Sequence, residues 1–204
     1  MRKKPNLTKW DFLTRIINLE DDWLTPVAYL PYIDALLGDI DLDPCSTHLA
    51  NDQFLHAKKI YTIKEDGINQ EEPWVGKTYM FPPTYGACSY SKERKTYKWT
   101  MHGGTQHPSV AWFKRLEREW KLRNIPEALF YTTYTEIMRR HQSIFNFPIC
   151  VPTKRAAPID GKSLIEKGGA FTWGIFVYLP GTELGIDYVH NFERIFSHLG
   201  RVIA

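Results

Sequence analysis

Apolar positions along this chain fall into two rhythms, one of period 3.6 and one of short unbroken runs. Val27, Leu30, Ile33, Leu36 and Leu37 recur at helical spacing and make one face. Gly38 stops that helix, and Thr25-Pro26 opens it, with Thr25 as N-cap and Pro26 at the first helical position. The same period predicts a helix over 109–123, capped by Ser109, with Val110, Phe113, Leu116 and Trp120 inward. It predicts another over 136–145, where Arg139, Arg140 and His141 suit the negative end of the dipole. A closing helix over 187–199 turns Val189, Phe192, Ile195, Phe196 and Leu199 inward. Residues 1–20 read as a basic amphipathic arm, with Trp10, Leu13, Ile16, Ile17 and Leu19 as its docking face.

The short runs predict strands. One covers 39–43 and is broken by Pro44, after which Ser46 is expected to cap a helical stretch through Leu49-Ala50-Asn51. Others cover 59–62, the residues up to Phe81, 128–134 and 150–151. The longest, 170–179, is the expected central strand, and 153–169 before it reads as a loop. Strands that alternate with helices predict an α/β fold: one domain over 21–204, with a mostly parallel sheet and helices on both faces. The strand that meets Pro82-Pro83 has reached its edge, because proline cannot donate to a ladder. At the carboxyl edge of such a sheet, ligands bind.

Composition narrows the function. Of 204 residues, 43% are hydrophobic and 24% charged, which excludes a disordered or fibrous chain. A net charge of +3 is too small for a general polycation, so nucleic-acid binding needs a local patch. Such a patch exists in the insert over 87–107, where Lys92, Arg94, Lys95 and Lys98 interleave with Tyr90, Tyr97 and Trp99. It reads either as a solvated loop or as phosphate contacts joined to base stacking. Cys45, Cys88 and Cys150 are odd in number and match no metal-ligand spacing, so reduced thiols, a cytoplasmic setting and no metal are expected. No apolar run is long enough to span a bilayer, and no signal peptide is expected.

Asp41 and Asp43 share one face of their strand by alternation. They are either a solvated strand end or a site for an ammonium group or ribose hydroxyls. The N-terminus of the 27–37 helix is likewise either an ordinary cap or a seat for an anionic group. Neither a dinucleotide fingerprint nor a phosphate-binding P-loop occurs.

The ordered series Asp22-Trp23-x-Thr25-Pro26, Ile40-Asp41-Leu42-Asp43-Pro44-x-Ser46, Ala50-Asn51, Tyr61-Thr62, Asp66-Gly67, Trp74-x-Gly76 and Pro82-Pro83 resembles the phage-type DNA N6-adenine methyltransferases. The resemblance continues through Trp112-Phe113, Glu127-Ala128 and Gly168-Gly169-Ala170-Phe171, and covers residues 21–181. It implies a Rossmann-like methyltransferase fold that binds S-adenosylmethionine and acts on DNA. Trp23, Thr25 and Pro26 would lie near the methionine end of the cofactor, and Asp41, Asp43, Pro44 and Cys45 would form its loop. Asp43 would pair with the methionine ammonium. Phe81, Pro82, Pro83 and Tyr85 match the catalytic motif, in which an Asn or Asp precedes Pro-Pro and an aromatic.

Here the chain departs from the family. Phe81 stands at the Asn or Asp position, and Thr84 is inserted before Tyr85. In the family, that amide or acid accepts hydrogen bonds from the adenine amino group, and a phenyl ring cannot. Loss of one such interaction costs about 2.7–4 kcal/mol of transition-state stabilisation. The main-chain carbonyls of Phe81 and Pro82 and the Thr84 hydroxyl are the acceptors left. An enzyme with altered adenine chemistry, a non-catalytic DNA-binding relative and an enzyme for another substrate are the expectations that follow.

Overall fold

The computed structural model describes residues 23–84, 87–94, 96–100, 106–161, 164–166, 173–181 and 186–204. The arm over 1–20, Asp22, Tyr85, Lys95 and 167–172 lie outside the described residues.

The elements run β1 (Trp23–Leu24), α1 (Leu30–Leu37), β2 (Leu42–Asp43), α2 (His48–Ala50), β3 (Lys59–Ile60), β4 (Thr78–Met80), β5 (Ala87–Ser91), β6 (Thr96–Thr100), α3 (Pro108–Lys121), β7 (Ala128–Thr132), α4 (Ile137–Arg140), β8 (Ile149–Pro152), β9 (Ile159–Asp160), β10 (Ile175–Leu179), α5 (Ile186–Phe196) and β11 (Gly200–Ile203). Seven strands form one sheet in the order β11-β8-β10-β7-β4-β2-β3. The half from β3 through β2 and β4 to β7 is parallel. From β7 through β10 and β8 to β11 every pairing is antiparallel. The α/β architecture therefore stands, but the sheet is mixed. The tertiary reason is that β10 runs back between β7 and β8, and β11 adds to the outer edge as the chain turns out of α5.

Side chains of β7 and β10 alternate between two cores. Phe130, Val177 and Leu179 pack with Val110, Phe113 and Leu116 of α3 on one face. Leu129, Phe176 and Tyr178 pack with Ile33 and Leu37 of α1 and with Phe192 and Phe196 of α5 on the other. Burial on both faces makes these strands read as unbroken apolar runs.

Three helix starts differ from expectation. Pro26, not Thr25, is the residue before the 3₁₀ turn Val27–Tyr29 that leads into α1, and it offers no capping side chain. Thr47, one residue after Ser46, caps α2 by accepting from the Ala50 N–H at 3.0 Å. His107 caps α3, with Nδ1 accepting from the Ser109 N–H at 3.2 Å, and Pro108 fills the first turn. The helix expected over 136–145 divides into α4 and a 3₁₀ stretch, Gln142–Asn146. Within the loop expected over 153–169, β9 pairs with β1 outside the main sheet.

Candidate functional site: a cleft at the strand switch point

From β2 the chain moves outward to β3, then crosses back to β4 on the other side of β2. Strand order reverses between β2 and β4, and a crevice opens outside their carboxyl ends. A shallow cleft, open to solvent, lies there. Trp23, Leu24 and Thr25 form one wall, Asp43, Cys45, Ser46 and Thr47 the floor, and Phe81 and Pro83 the side towards β4. Ala50, Phe54 and Leu55 close it with apolar surface.

Asp43 is the charged group of this cleft. Only 3% of it is exposed, and one carboxylate oxygen accepts from the Cys45 N–H at 3.1 Å. Burial pushes its pKa up to about 6, opposed chiefly by the hydrogen bond from the Cys45 N–H. Among the described residues it has no ion pair.

Asp41 is placed differently. Its Oδ1 accepts from Lys58 Nζ and its Oδ2 from the Lys77 N–H, each at 2.9 Å. These contacts hold its pKa below the usual carboxylate range, and it does not line the cleft. The alternation expected over 39–43 does not hold, because Ile40 and Leu42 pack into opposite cores, and Asp41 precedes β2 whereas Asp43 ends it. Asp41 thus staples the entry of β2 to the segments on either side. Gly76 (φ +86°) packs its Cα against the Asp41 side chain, where a Cβ would collide.

The cofactor-loop residues are braced from behind. Gly67 abuts the Pro44 carbonyl, so closely that only a residue without Cβ fits. Trp74, fully buried, donates from Nε1 to the Gly67 carbonyl at 3.0 Å. Arg115 of α3 donates to the carbonyls of Gln70 at 2.8 Å and Glu72 at 3.0 Å. Asn51 closes the following turn by bonding both main-chain groups of Ala57, at 2.7 and 3.0 Å. Asn51, Asp66-Gly67 and Trp74-x-Gly76 therefore shape the cleft without lining it. Neither Pro26 nor Pro44 lines it either. Thr25 does, but its hydroxyl is engaged with the Tyr79 hydroxyl at 2.8 Å.

At the β4 edge, the Phe81 ring packs on Tyr131 with centroids 4.8 Å apart. The Phe81 carbonyl accepts from the Cys45 thiol at 3.3 Å. A thiol therefore already engages one of the two main-chain acceptors expected to serve an incoming amino group. Pro82 is buried, and Thr84 makes interactions of its own.

The insert after Pro83 is a β-hairpin of β5 and β6. The reading of this insert as a loop or a phosphate-contacting stretch missed the strand period, in which Thr96, Lys98 and Thr100 alternate with Tyr97 and Trp99 and the Thr, Tyr and Trp residues favour strands. Asn69 docks it to the body, with Oδ1 accepting from the Tyr97 N–H at 2.6 Å and Nδ2 donating to the Tyr97 carbonyl at 2.9 Å. Lys92, Arg94 and Lys98 are exposed and form no ion pair with a described residue. Among the described residues there is no cluster of metal ligands, and no helix is long and apolar enough to cross a membrane.

No family model, no curated protein and no solved structure matches this chain.

Proposed function

We propose that the cleft binds S-adenosylmethionine and that the protein is a Rossmann-like, cytoplasmic DNA methyltransferase of the phage adenine-N6 type with an altered catalytic centre. The single observation that carries this reading is Asp43. A buried carboxylate with no cation among the described residues, at the floor of a switch-point cleft, calls for positive charge.

The donor set fits the cofactor. Asp43 suits its ammonium group, and Ser46 and Thr47 offer hydroxyls beside it. Trp23, Leu24, Phe54 and Leu55 supply apolar walls for the thioether and adenine portions. The bound cofactor would supply an electrophilic methyl group. The chain's own residues bind and orient it, exclude water with Trp23 and Phe81, and hold phosphates with Lys92, Arg94 and Lys98. Lys95 and Tyr85 belong to this reading by position alone.

The weak point is the acceptor for the target amino group. Phe81 offers a phenyl ring turned onto Tyr131, and its carbonyl already engages the Cys45 thiol. That observation favours a second reading, a cofactor- and DNA-binding relative without methyl transfer.

Calorimetric titration with S-adenosylmethionine, followed by incubation with labelled cofactor and mixed-sequence DNA, tests both. Binding with label in DNA supports the enzyme. Binding with no label supports the non-catalytic reading. No cofactor binding at all overturns both.

A further inference from the structure

We propose that Trp173, Arg155 and Lys154 form a second nucleic-acid subsite, on which an unstacked nucleobase lies flat while the two cations meet its phosphates. This rests on the DNA-directed reading above and deepens it.

Trp173 stands two residues before β10, whose first residue pairs with the last residue of β7. It therefore sits at the same sheet edge as the cleft. Its neighbour Gly174 packs against the Tyr131 ring, and that ring in turn contacts Phe81 at 4.8 Å. The residue after Trp173 is thus packed against the aromatic that borders the site, and the Trp173 side chain itself is 44% exposed. A large aromatic left open beside a ligand cleft is a ready stacking surface, because every base has a π face.

The charge around it is complementary to a phosphate chain. The Arg155 guanidinium lies 5.2 Å from the Trp173 ring centroid. Arg155 and Lys154 are both exposed, and neither forms an ion pair with a described residue. A guanidinium over an indole keeps its outer N–H groups free to fork onto a phosphate while its plane guides a base onto the ring. The opposite sign is absent from the stretch Thr153–Ile159, where β9 begins.

The test uses the full chain and a short single-stranded oligonucleotide carrying 2-aminopurine in place of adenine, followed by anisotropy and by quenching of the probe. Trp173→Ala should weaken binding about tenfold and relieve the quenching, while Trp173→Phe should keep most of both. Arg155→Ala should reduce the slope of log affinity against log salt by about 0.7, the value for one phosphate contact on a single strand. Titration with S-adenosylmethionine should be unchanged in all three variants, because none of these residues lines the cleft. If wild type binds the oligonucleotide and Trp173→Ala binds it equally well, the subsite is wrong and the DNA-directed reading survives. If wild type binds cofactor but no oligonucleotide, both fall.

Discussion

The Asp43 carboxyl titrates near 6, well above its ordinary value, because burial disfavours its charged form. Between about pH 4 and 6 the folded chain therefore keeps a proton that the unfolded chain releases, and stability falls as pH rises through that window. Above it, the ionised buried group is a standing cost. Asp43→Asn should raise stability at pH 7.5 by on the order of 1–3 kcal/mol, with little gain at pH 4. Paired denaturant titrations at the two pH values check this. The same substitution should abolish cofactor binding, because the ammonium group loses its partner. In wild type, cofactor affinity should fall about tenfold per pH unit below the Asp43 pKa, as protonation removes the binding form. His107 has the opposite sign. Burial and the nearby Arg140 push its pKa down to about 4. Its contribution is present above its ordinary pKa of 6.5 and is lost as pH falls towards 4. His107→Asn keeps a side-chain cap for α3 and should flatten that acid limb, as read by thermal unfolding across pH.

At the level of elements, the hairpin of β5 and β6 and the cleft share one support. The turn over 66–69 presses Gly67 on Pro44 and holds Tyr97 through Asn69. Asn69→Ala removes two hydrogen bonds from the Tyr97 main chain and should cost about 1–3 kcal/mol. Its larger effect should be functional. DNA affinity should drop several-fold, with an unchanged salt slope, because the charges of Lys92, Arg94 and Lys98 remain while their placement loosens. A variant that bound DNA as wild type would show that the hairpin needs no dock. Substituting Lys98 with Ala should instead lower the slope by about 0.9 on duplex DNA, the mark of one lost phosphate contact.

Across the whole molecule, the scaffold and the chemical centre point in different directions. The switch-point cleft and its buried Asp43 suit a cationic ligand, whereas the Phe81 ring at its side offers no hydrogen-bond acceptor, which the proposed adenine chemistry would require. Replacing Phe81 with Asn and deleting Thr84 should install adenine methylation, read as label from the cofactor in N6-methyladenine. Failure in a variant that still binds cofactor and DNA would place the divergence beyond this motif.

The major helices, the parallel half of the sheet and the burial of β7 and β10 were legible in the sequence, because helical period and strand length are written locally in residue type. Trp23, Thr25, Asp43 and Cys45 of the expected cofactor set and Phe81 and Pro83 of the expected catalytic set line one cleft, whereas Pro26, Asp41, Pro44 and Pro82 do not line it. Asp41 was not separable from Asp43 by pattern. Alternation predicts one face for both, and only the positions of Lys58 and Lys77 across neighbouring segments turn one into a staple and leave the other with no cation among the described residues. The same holds for the reversed β10, the edge strand β11 and the pairing of β1 with β9. Each joins segments far apart in the chain, where no local period carries a signal. The sequence by itself determined which residues are apolar, where strands must stop and that the Phe81 side chain carries no hydrogen-bond acceptor. Only the tertiary structure decided which carboxylate is desolvated and that a cysteine thiol reaches the Phe81 carbonyl. Burial and hydrogen-bond partners depend on distances in space, which composition and spacing do not encode.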